Sequence, residues 1–147
     1  MDQGADVCPA TVVAGLPYTD IGTTVGRANN YTELDVNCPN SSNAPDVIYG
    51  GTGNDLISAF GGTDSIDGGD GNDSIEAGDH DDVIVGGAGD DTINGGTGTD
   101  TALYASAASA VIVNLTLGTA TGGDGADTLK NIENVSGSAF NDTLVGD

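Results

Sequence analysis

A nine-residue repeat of the form G-G-x-G-x-D-x-U-x, in which U is a large aliphatic residue, runs without a gap from Gly50 to Leu103. Its six copies read GGTGNDLIS, AFGGTDSID, GGDGNDSIE, AGDHDDVIV, GGAGDDTIN and GGTGTDTAL. A fixed period of this kind predicts a stack of similar units, each contacting mainly its neighbours, and not a conventional layered domain. Position six is always aspartate: Asp55, Asp64, Asp73, Asp82, Asp91 and Asp100. Position eight is almost always isoleucine: Ile57, Ile66, Ile75, Ile84 and Ile93, with Ala102 in the last copy.

This pattern of glycine, aspartate and aliphatic residue resembles the calcium-binding nonapeptides of the RTX (repeats-in-toxin) family. The resemblance implies an all-β fold, a right-handed parallel β-roll or β-solenoid. In each unit the first six residues turn, and the last three form a strand whose middle side chain points inward. Two units complete one coil, so units two apart stack at the ordinary strand separation of about 4.8 Å.

The turns of such a roll have the chemistry of a metal site. Glycine tolerates positive φ, which lets several backbone carbonyls face one point, and position six adds a carboxylate. Calcium takes about six to eight oxygen ligands in a flexible geometry, whereas magnesium demands a stricter octahedron. Stacking pairs Asp55 with Asp73, Asp73 with Asp91, Asp64 with Asp82, and Asp82 with Asp100. About four interior Ca²⁺ ions are therefore predicted.

The RTX pattern also implies which carbonyls join the aspartates: those at positions one and three of one turn and at two and four of the next. For the first site these residues are Gly50, Thr52, Gly69 and Gly71. The same rule nominates Gly68, Asp70, Gly87, Gly89, Ala59, Gly61, Gly78, His80, Ala77, Asp79, Gly96 and Gly98 for the other sites. Further weak sites are expected near Asp46, in a worn repeat over residues 41–49, and near Asp127.

Ala59, Phe60 and His80 depart from the pattern and are expected to loosen their sites. Ala59 and Phe60 replace the two leading glycines of the second unit, and His80 replaces the last glycine of the fourth. A backbone carbonyl can still serve at each position. The side chain of His80 is interpreted as a solvated turn residue, the alternative being a ligand or a base.

Charge restricts the partners of the chain. Two basic residues, Arg27 and Lys130, face 23 acidic ones, and the formal net charge is -21. Nucleic acid and anionic membranes are therefore excluded as favourable partners. Four Ca²⁺ ions would bring the charge to about -13. One inward isoleucine per unit cannot offset the chain entropy of the repeats, so folding coupled to calcium binding is predicted.

The repeat divides the chain into three predicted parts. Residues 1–40 have short β-prone runs and are predicted to form a small N-terminal β cap. TDIGTTVGRANNY in this part and APDVIY just after it, at residues 44–49, are similar to the opening strands of pre-peptidase-like β-sandwich modules. Cys8 and Cys38 either form a disulfide, which is the favoured interpretation and indicates an oxidising compartment, or are two unrelated thiols. Residues 41–103 form the roll. Residues 104–147 are predicted to be a degenerate continuation, in which GGDGADTLK restores the motif in phase from Gly122, followed by part of a second RTX block.

No catalytic motif accompanies the repeats: the sequence lacks H-E-x-x-H, G-x-S-x-G and a P-loop. The favoured interpretation is therefore a non-enzymatic, secreted, calcium-dependent structural module that acts as a scaffold or adhesive, or self-assembles into a homo-oligomer, filament or surface layer. The alternative is the C-terminal RTX segment of a larger exported enzyme such as a protease, lipase or epimerase. No apolar stretch is long enough for membrane insertion. An outward stripe of apolar residues is predicted to form an interface or to lie under a loop: Val47, Tyr49, Val83, Val85 and Leu103.

Overall fold

The structure, a computed structural model, describes residues 35–37 and 45–146, with side chains from residue 45 onward. Most of the predicted N-terminal cap, including Cys8 and Cys38, lies outside the described residues, so the disulfide stays a prediction. The strands are β1 Asp35–Asn37, β2 Val47–Thr52, β3 Leu56–Ser58, β4 Ser65–Asp70, β5 Ser74–Asp79, β6 Val83–Ala88, β7 Thr92–Thr97, β8 Thr101–Leu103, β9 Val111–Asn114, β10 Thr119–Gly122, β11 Gly125–Lys130, β12 Asn134–Ser136 and β13 Thr143–Val145.

From β1 to β8, successive strands alternate between two sheets, because each repeat turns the chain from one sheet to the other. One sheet has five strands in the order β12-β8-β6-β4-β2, and the other has eight in the order β1-β3-β5-β7-β11-β10-β9-β13. From β2 to β8 every pair is parallel, and the paired residues are two repeat units apart, as in Ile48 with Ile66 and Ile57 with Ile75. The predicted all-β parallel β-roll is confirmed.

In the regular roll, the core lies between the two sheets and consists mainly of the position-eight side chains; beyond Leu103 it is continued by Val111, Val113, Ala120 and Leu129. All five predicted isoleucines and Ala102 are at most 2 % exposed, as is Ile48 of the worn repeat. Each residue pairs with its equivalent in the next coil, which gives one aliphatic column on each sheet. The expected inward orientation of position eight is thereby confirmed. The core is one side chain deep per strand, which leaves the turns to provide much of the cohesion.

The chain leaves the regular coil after Leu103. β9, β10 and β11 form an antiparallel meander, with Gly122 opposite Gly125 at its last turn. β11 then rejoins the roll by pairing in parallel with β7, with Thr128 opposite Thr92. The sequence predicts a degenerate continuation of the roll over these residues; the observed register instead skips residues 104–123 and resumes with the turn that leads into β11. The division of the chain into domains at residues 40 and 103 stays a prediction.

The last two strands attach to different partners. β12 pairs in parallel with β8, and β13 pairs in parallel with β9 of the meander. β13 is an outer strand of the eight-stranded sheet. Its Leu144, in the position of the buried isoleucines, is 47 % exposed, because no described strand covers it.

Candidate metal centre

The turns between the sheets form two columns. The first turn stack consists of residues 50–55, 68–73 and 86–91, and the second consists of residues 59–64, 77–82 and 95–100. In both stacks the position-six aspartate lies at the start of the strand that follows the turn. All six of these carboxylates are at most 3 % exposed. This extent of burial is exceptional for aspartate, which is seldom buried without a partner.

A ladder of hydrogen bonds between coils uses one carboxylate oxygen of Asp64, Asp73, Asp82, Asp91 and Asp100. In the first stack, the N–H of Asp55 donates to Oδ1 of Asp73 at 2.8 Å, and the N–H of Asp73 donates to Oδ1 of Asp91 at 2.9 Å. In the second stack, the N–H of Asp64 donates to Oδ1 of Asp82 at 2.8 Å. The corresponding bond from Asp82 to Asp100 is 2.9 Å long. The stacking of equivalent aspartates that the repeat predicts is confirmed.

The second oxygen of these carboxylates has a different environment. Oδ2 is buried and accepts no hydrogen bond from the described residues in Asp64, Asp73, Asp82, Asp91 and Asp100. A buried polar atom without a donor costs roughly 1 to 3 kcal/mol, and a buried charge costs more. A row of such atoms fits a cation better than any other ligand, because a cation satisfies the oxygen and neutralises the charge together.

The pKa values of buried aspartates in both stacks are raised, which shows that burial disfavours their charged forms. Desolvation, followed by repulsion from neighbouring carboxylates, raises the pKa of Asp73 to about 6 and that of Asp82 and Asp91 to about 7. Desolvation also raises the pKa of Asp64 and Asp100. At neutral pH a cation would therefore compete with protons for these sites, and its binding would release them.

Glycine at position one makes room for the orphaned oxygen. A Cβ built on Gly68 would lie 2.5 Å from Oδ2 of Asp73, and one on Gly95 would lie 2.5 Å from Oδ2 of Asp100. Glycines at positions two and four have positive φ, for example 105° at Gly69. The turn is thus a cradle in which side chains are excluded and backbone oxygens line the space around the carboxylate.

The predicted carbonyl ligands lie in neighbouring turns as the repeat requires. Thr52 pairs with Asp70, and Asp70 pairs with Ala88. The carbonyl of Asp70, at position three, accepts a hydrogen bond of 2.7 Å from the N–H of Gly53 in the preceding coil. In the second stack, the carbonyl of Asp79 accepts a bond of 3.1 Å from Gly62 in the same way. The two stacks therefore have the same backbone framework, and which of the carbonyls coordinate a metal stays a prediction.

The backbone framework is kept where glycine is absent. Phe60 has φ of 70° and His80 has φ of 85°, although both carry a Cβ. Ala59 and Ala77 replace position-one glycines and are fully buried. The side chain of His80 is exposed, with Nδ1 2.8 Å from the carbonyl oxygen of Asp79. Its position agrees with the interpretation of His80 as a turn residue.

Side-chain ligands alone would not complete a site. Among the described residues, no group of three or more His, Cys, Asp or Glu side chains converges in a way that could hold a metal ion. Each space between turns offers two carboxylates at most, and six to eight oxygens are needed for calcium. Backbone carbonyls must supply the remainder, as the glycine pattern predicts.

Two residues at the ends of the ladders were not found from the sequence. The N–H of Asp100 donates to Oε2 of Glu133 at 2.8 Å, so Glu133 takes the place of the next aspartate in the second stack. The hydroxyl of Tyr104 donates to Oδ2 of Asp127 at 2.8 Å. Neither residue has a repeat-based signal, since Glu133 is out of phase and Tyr104 lies outside the motif. At the opposite end, the N–H of Asp46 donates to Oδ1 of Asp64 at 2.8 Å.

Comparison with known proteins supports the geometric interpretation. Residues 41–75 and 67–102 match the family model of the RTX calcium-binding nonapeptide repeat (4 copies). A search of curated proteins finds no match. The part of the chain that the structure describes has no helix long and apolar enough to cross a bilayer.

Proposed function

Because residues 41–102 are calcium-binding nonapeptide repeats of the RTX type, we propose that the chain is an extracellular structural module whose roll folds when it binds Ca²⁺. Four interior ions lie between successive turns, two in each turn stack. The observation that carries this proposal is the row of buried Oδ2 atoms that accept no hydrogen bond from the described residues. In a chain of net charge -21 with two basic residues, the charge of that row has to be neutralised by protons or by an external cation, and calcium is the cation that suits turns rich in oxygen ligands.

Each ion would be held by two aspartates and by carbonyls of the two turns that they belong to. The lower ion of the first stack would use Asp73 and Asp91, with carbonyls of Gly68, Asp70, Gly87 and Gly89. The bound ion supplies charge neutralisation and a cross-link between coils. The protein residues supply a buried cradle, set by the positive φ of Gly69 at 105° and Gly87 at 109°.

Calcium dependence follows from the balance of forces in the roll. Its core contains one aliphatic side chain per strand, and complete burial of each contributes about 1.5 to 3 kcal/mol. Ordering each backbone residue costs about 1 to 2 kcal/mol. The buried carboxylates oppose folding further while they are charged. Binding of ions reverses this last contribution, so metal binding and folding are one process.

An exported location suits this chemistry. RTX repeats are typical of exported proteins, and millimolar external calcium would saturate even sites of modest affinity. Inside a cell, where free calcium is scarce, the same chain would stay unfolded. The module would then fold only after export, and calcium binding would convert a flexible, negatively charged chain into a rigid scaffold.

Circular dichroism on the calcium-free chain tests the proposal. Added Ca²⁺ should produce a β spectrum that excess chelator removes, and Mg²⁺ at the same concentration should not replace it. Binding and folding should share one midpoint. A β spectrum that is identical with and without chelator would refute calcium-coupled folding.

Self-association is the more specific part of the proposal. The outer face of the five-stranded sheet carries the predicted apolar stripe, in which Tyr49 and Val83 are each 40 % exposed. Val47, Val85 and Leu103 of the same stripe are partly buried. This stripe supports contact between copies through the sheet face. Light scattering with and without Ca²⁺ should detect calcium-dependent oligomers, and a monomer in both conditions would remove this part of the proposal.

A further inference from the structure

After the long excursion that follows Leu103, β11 pairs with β7 in the place that the next repeat unit would occupy. The turn of residues 124–127 stacks on the turn of residues 88–91, although 36 residues separate Asp91 from Asp127. We infer that this junction holds an additional Ca²⁺ ion. The inference rests on the proposed function and extends it to a site that Asp91 shares with Asp127, a residue beyond the end of the family match at residue 102.

The hydrogen bonds across the junction repeat those inside the regular roll. The N–H of Asp91 donates to Oδ1 of Asp127 at 3.1 Å, which continues the aspartate ladder of the first stack. The N–H of Gly89 donates to the carbonyl of Asp124 at 2.6 Å, as the N–H of Gly53 does to Asp70 at 2.7 Å. Positions three to six of this turn are therefore in register with the turn before it.

An unsatisfied oxygen belongs to the aspartate that is bonded to the junction turn. Oδ2 of Asp91 is buried and accepts no hydrogen bond from the described residues. A Cβ on Gly86 would overlap it, so the space beside this oxygen is reserved by glycine. Gly125, at position four of the next turn, has φ of 136° and keeps the backbone form of the regular repeats. The junction thus has the orphaned carboxylate and the position-four glycine of the interior sites, whereas Gly122 and Gly123, at positions one and two, lie against Ala110 and Ser109 of the meander.

Tyr104 marks this junction as the end of the ladder. Its hydroxyl donates to Oδ2 of Asp127 at 2.8 Å, and the two residues are at most 5 % exposed. In Asp73 and Asp91 the equivalent oxygen has no such donor among the described residues. Asp127 therefore serves one ion, on the side of Asp91, and a tyrosine replaces the ion that would follow on its other side.

An ion at the junction would connect parts of the chain that are distant in sequence. The meander of β9 and β10 reaches the roll through β11, which pairs with β7 over only Thr128–Lys130. A cross-link between Asp91 and Asp127 closes the excursion of residues 104–121 and reduces the chain entropy of its detached state. Calcium would then order the meander as well as the repeats.

Ion counting by native mass spectrometry, with hydrogen exchange on the same samples, tests the inference. Asp127→Asn keeps the size of the side chain and an acceptor for the N–H of Asp91 but removes the charge. Asp124→Asn is the matched control, because it removes the same charge from a partly exposed side chain of the same turn. Asp127→Asn should bind one ion fewer than the wild type and lose protection in β9 to β11, with β2 to β6 unchanged. Asp124→Asn should match the wild type in both measurements.

The outcomes separate this inference from the proposed function. Equal ion counts and equal protection in wild type and Asp127→Asn would overturn the junction site while leaving the interior sites intact. Loss of every ion from Asp127→Asn would also overturn it, since one ion alone is assigned to Asp127. A wild type that binds no calcium would instead refute the proposed function.

Discussion

The two turn stacks have the same backbone but different sequences. Every turn of the first stack has glycine at positions one, two and four, whereas the second stack has Ala59, Phe60, Ala77 and His80 at four of these positions. The aspartate ladder is nevertheless the same, with N–H to Oδ1 distances of 2.8 to 2.9 Å in both stacks. The stacking of coils therefore determines the backbone conformation of the turn, and the glycines lower the free energy that this conformation costs.

The cost is visible at positions two and four of the second stack. A residue with a Cβ seldom adopts positive φ, because the Cβ approaches its own backbone carbonyl. Phe60 and His80 adopt it at 70° and 85°. The repeat on either side of them holds the backbone in this conformation, so the second stack stores strain that the first stack lacks.

Loss of a central aspartate should have the largest effect, and it should be equal in the two stacks. Asp73→Asn and Asp82→Asn each remove a carboxylate that two proposed sites share. We expect the calcium concentration at the folding midpoint to rise about tenfold or more in both variants. Calcium titration followed by circular dichroism measures this midpoint. Asp70→Asn is the control, because Asp70 is an exposed aspartate in the same turn as Asp73. A large effect in one stack and none in the other would show that only one stack binds ions.

A Cβ added to the first stack should cost more than the Cβ already present in the second. Gly69→Ala places a methyl group against the carbonyl of Gly51 at φ of 105°. The expected loss in free energy of unfolding is about 2 kcal/mol or more. Phe60→Ala, at the equivalent position, keeps the Cβ and should change stability by about 0.5 kcal/mol or less. Denaturant unfolding at saturating calcium compares the two, and similar losses would contradict the assignment of strain to φ.

Acid should stabilise the calcium-free roll through both stacks. Burial raises the pKa of Asp73 from 3.8 to about 6 and that of Asp82 from 3.8 to about 7. A raised folded-state pKa means that the charged form opposes folding, so stability is greatest below about pH 4 and falls as pH rises through 6 to 7. Circular dichroism of metal-stripped protein across this range measures the effect. Asp73→Asn and Asp82→Asn should each flatten the curve, and a roll that gains stability with rising pH would contradict the burial of these charges.

The repeat predicts most of the roll because its period is a direct consequence of stacking. Position eight points inward and position six is buried in every complete copy, as with Ile66 and Asp64. The path after Leu103 could not be predicted in this way. Residues 104–121 are two repeat lengths long, so the motif resumes in phase at Gly122 whether the chain coils or loops out. The alternation of Val111 and Val113 fits a parallel strand as well as the antiparallel meander that forms.

The ends of the ladders were missed for a related reason. Tyr104 and Glu133 lie where the nine-residue period stops. Each of them forms one hydrogen bond with an aspartate at the end of a ladder. A repeat pattern shows only what its units have in common, whereas the residues at the ends of the ladders differ from that pattern. Sequence alone identified Asp127 from its phase but not the tyrosine that occupies its second oxygen.

Relief of strain in the second stack should have the smallest effect and the opposite sign. His80→Gly removes a Cβ from a position with φ of 85°, where the strain costs about 1 to 2 kcal/mol. Greater flexibility of glycine in the unfolded chain offsets about 0.5 to 1 kcal/mol, which leaves a net stabilisation of at most about 1.5 kcal/mol. His80→Ala removes the ring but keeps the Cβ, so its stability should stay near that of the wild type. If both substitutions stabilise the roll equally, the ring and not the backbone is the source of the strain, and the contrast between the stacks would lie in their side chains.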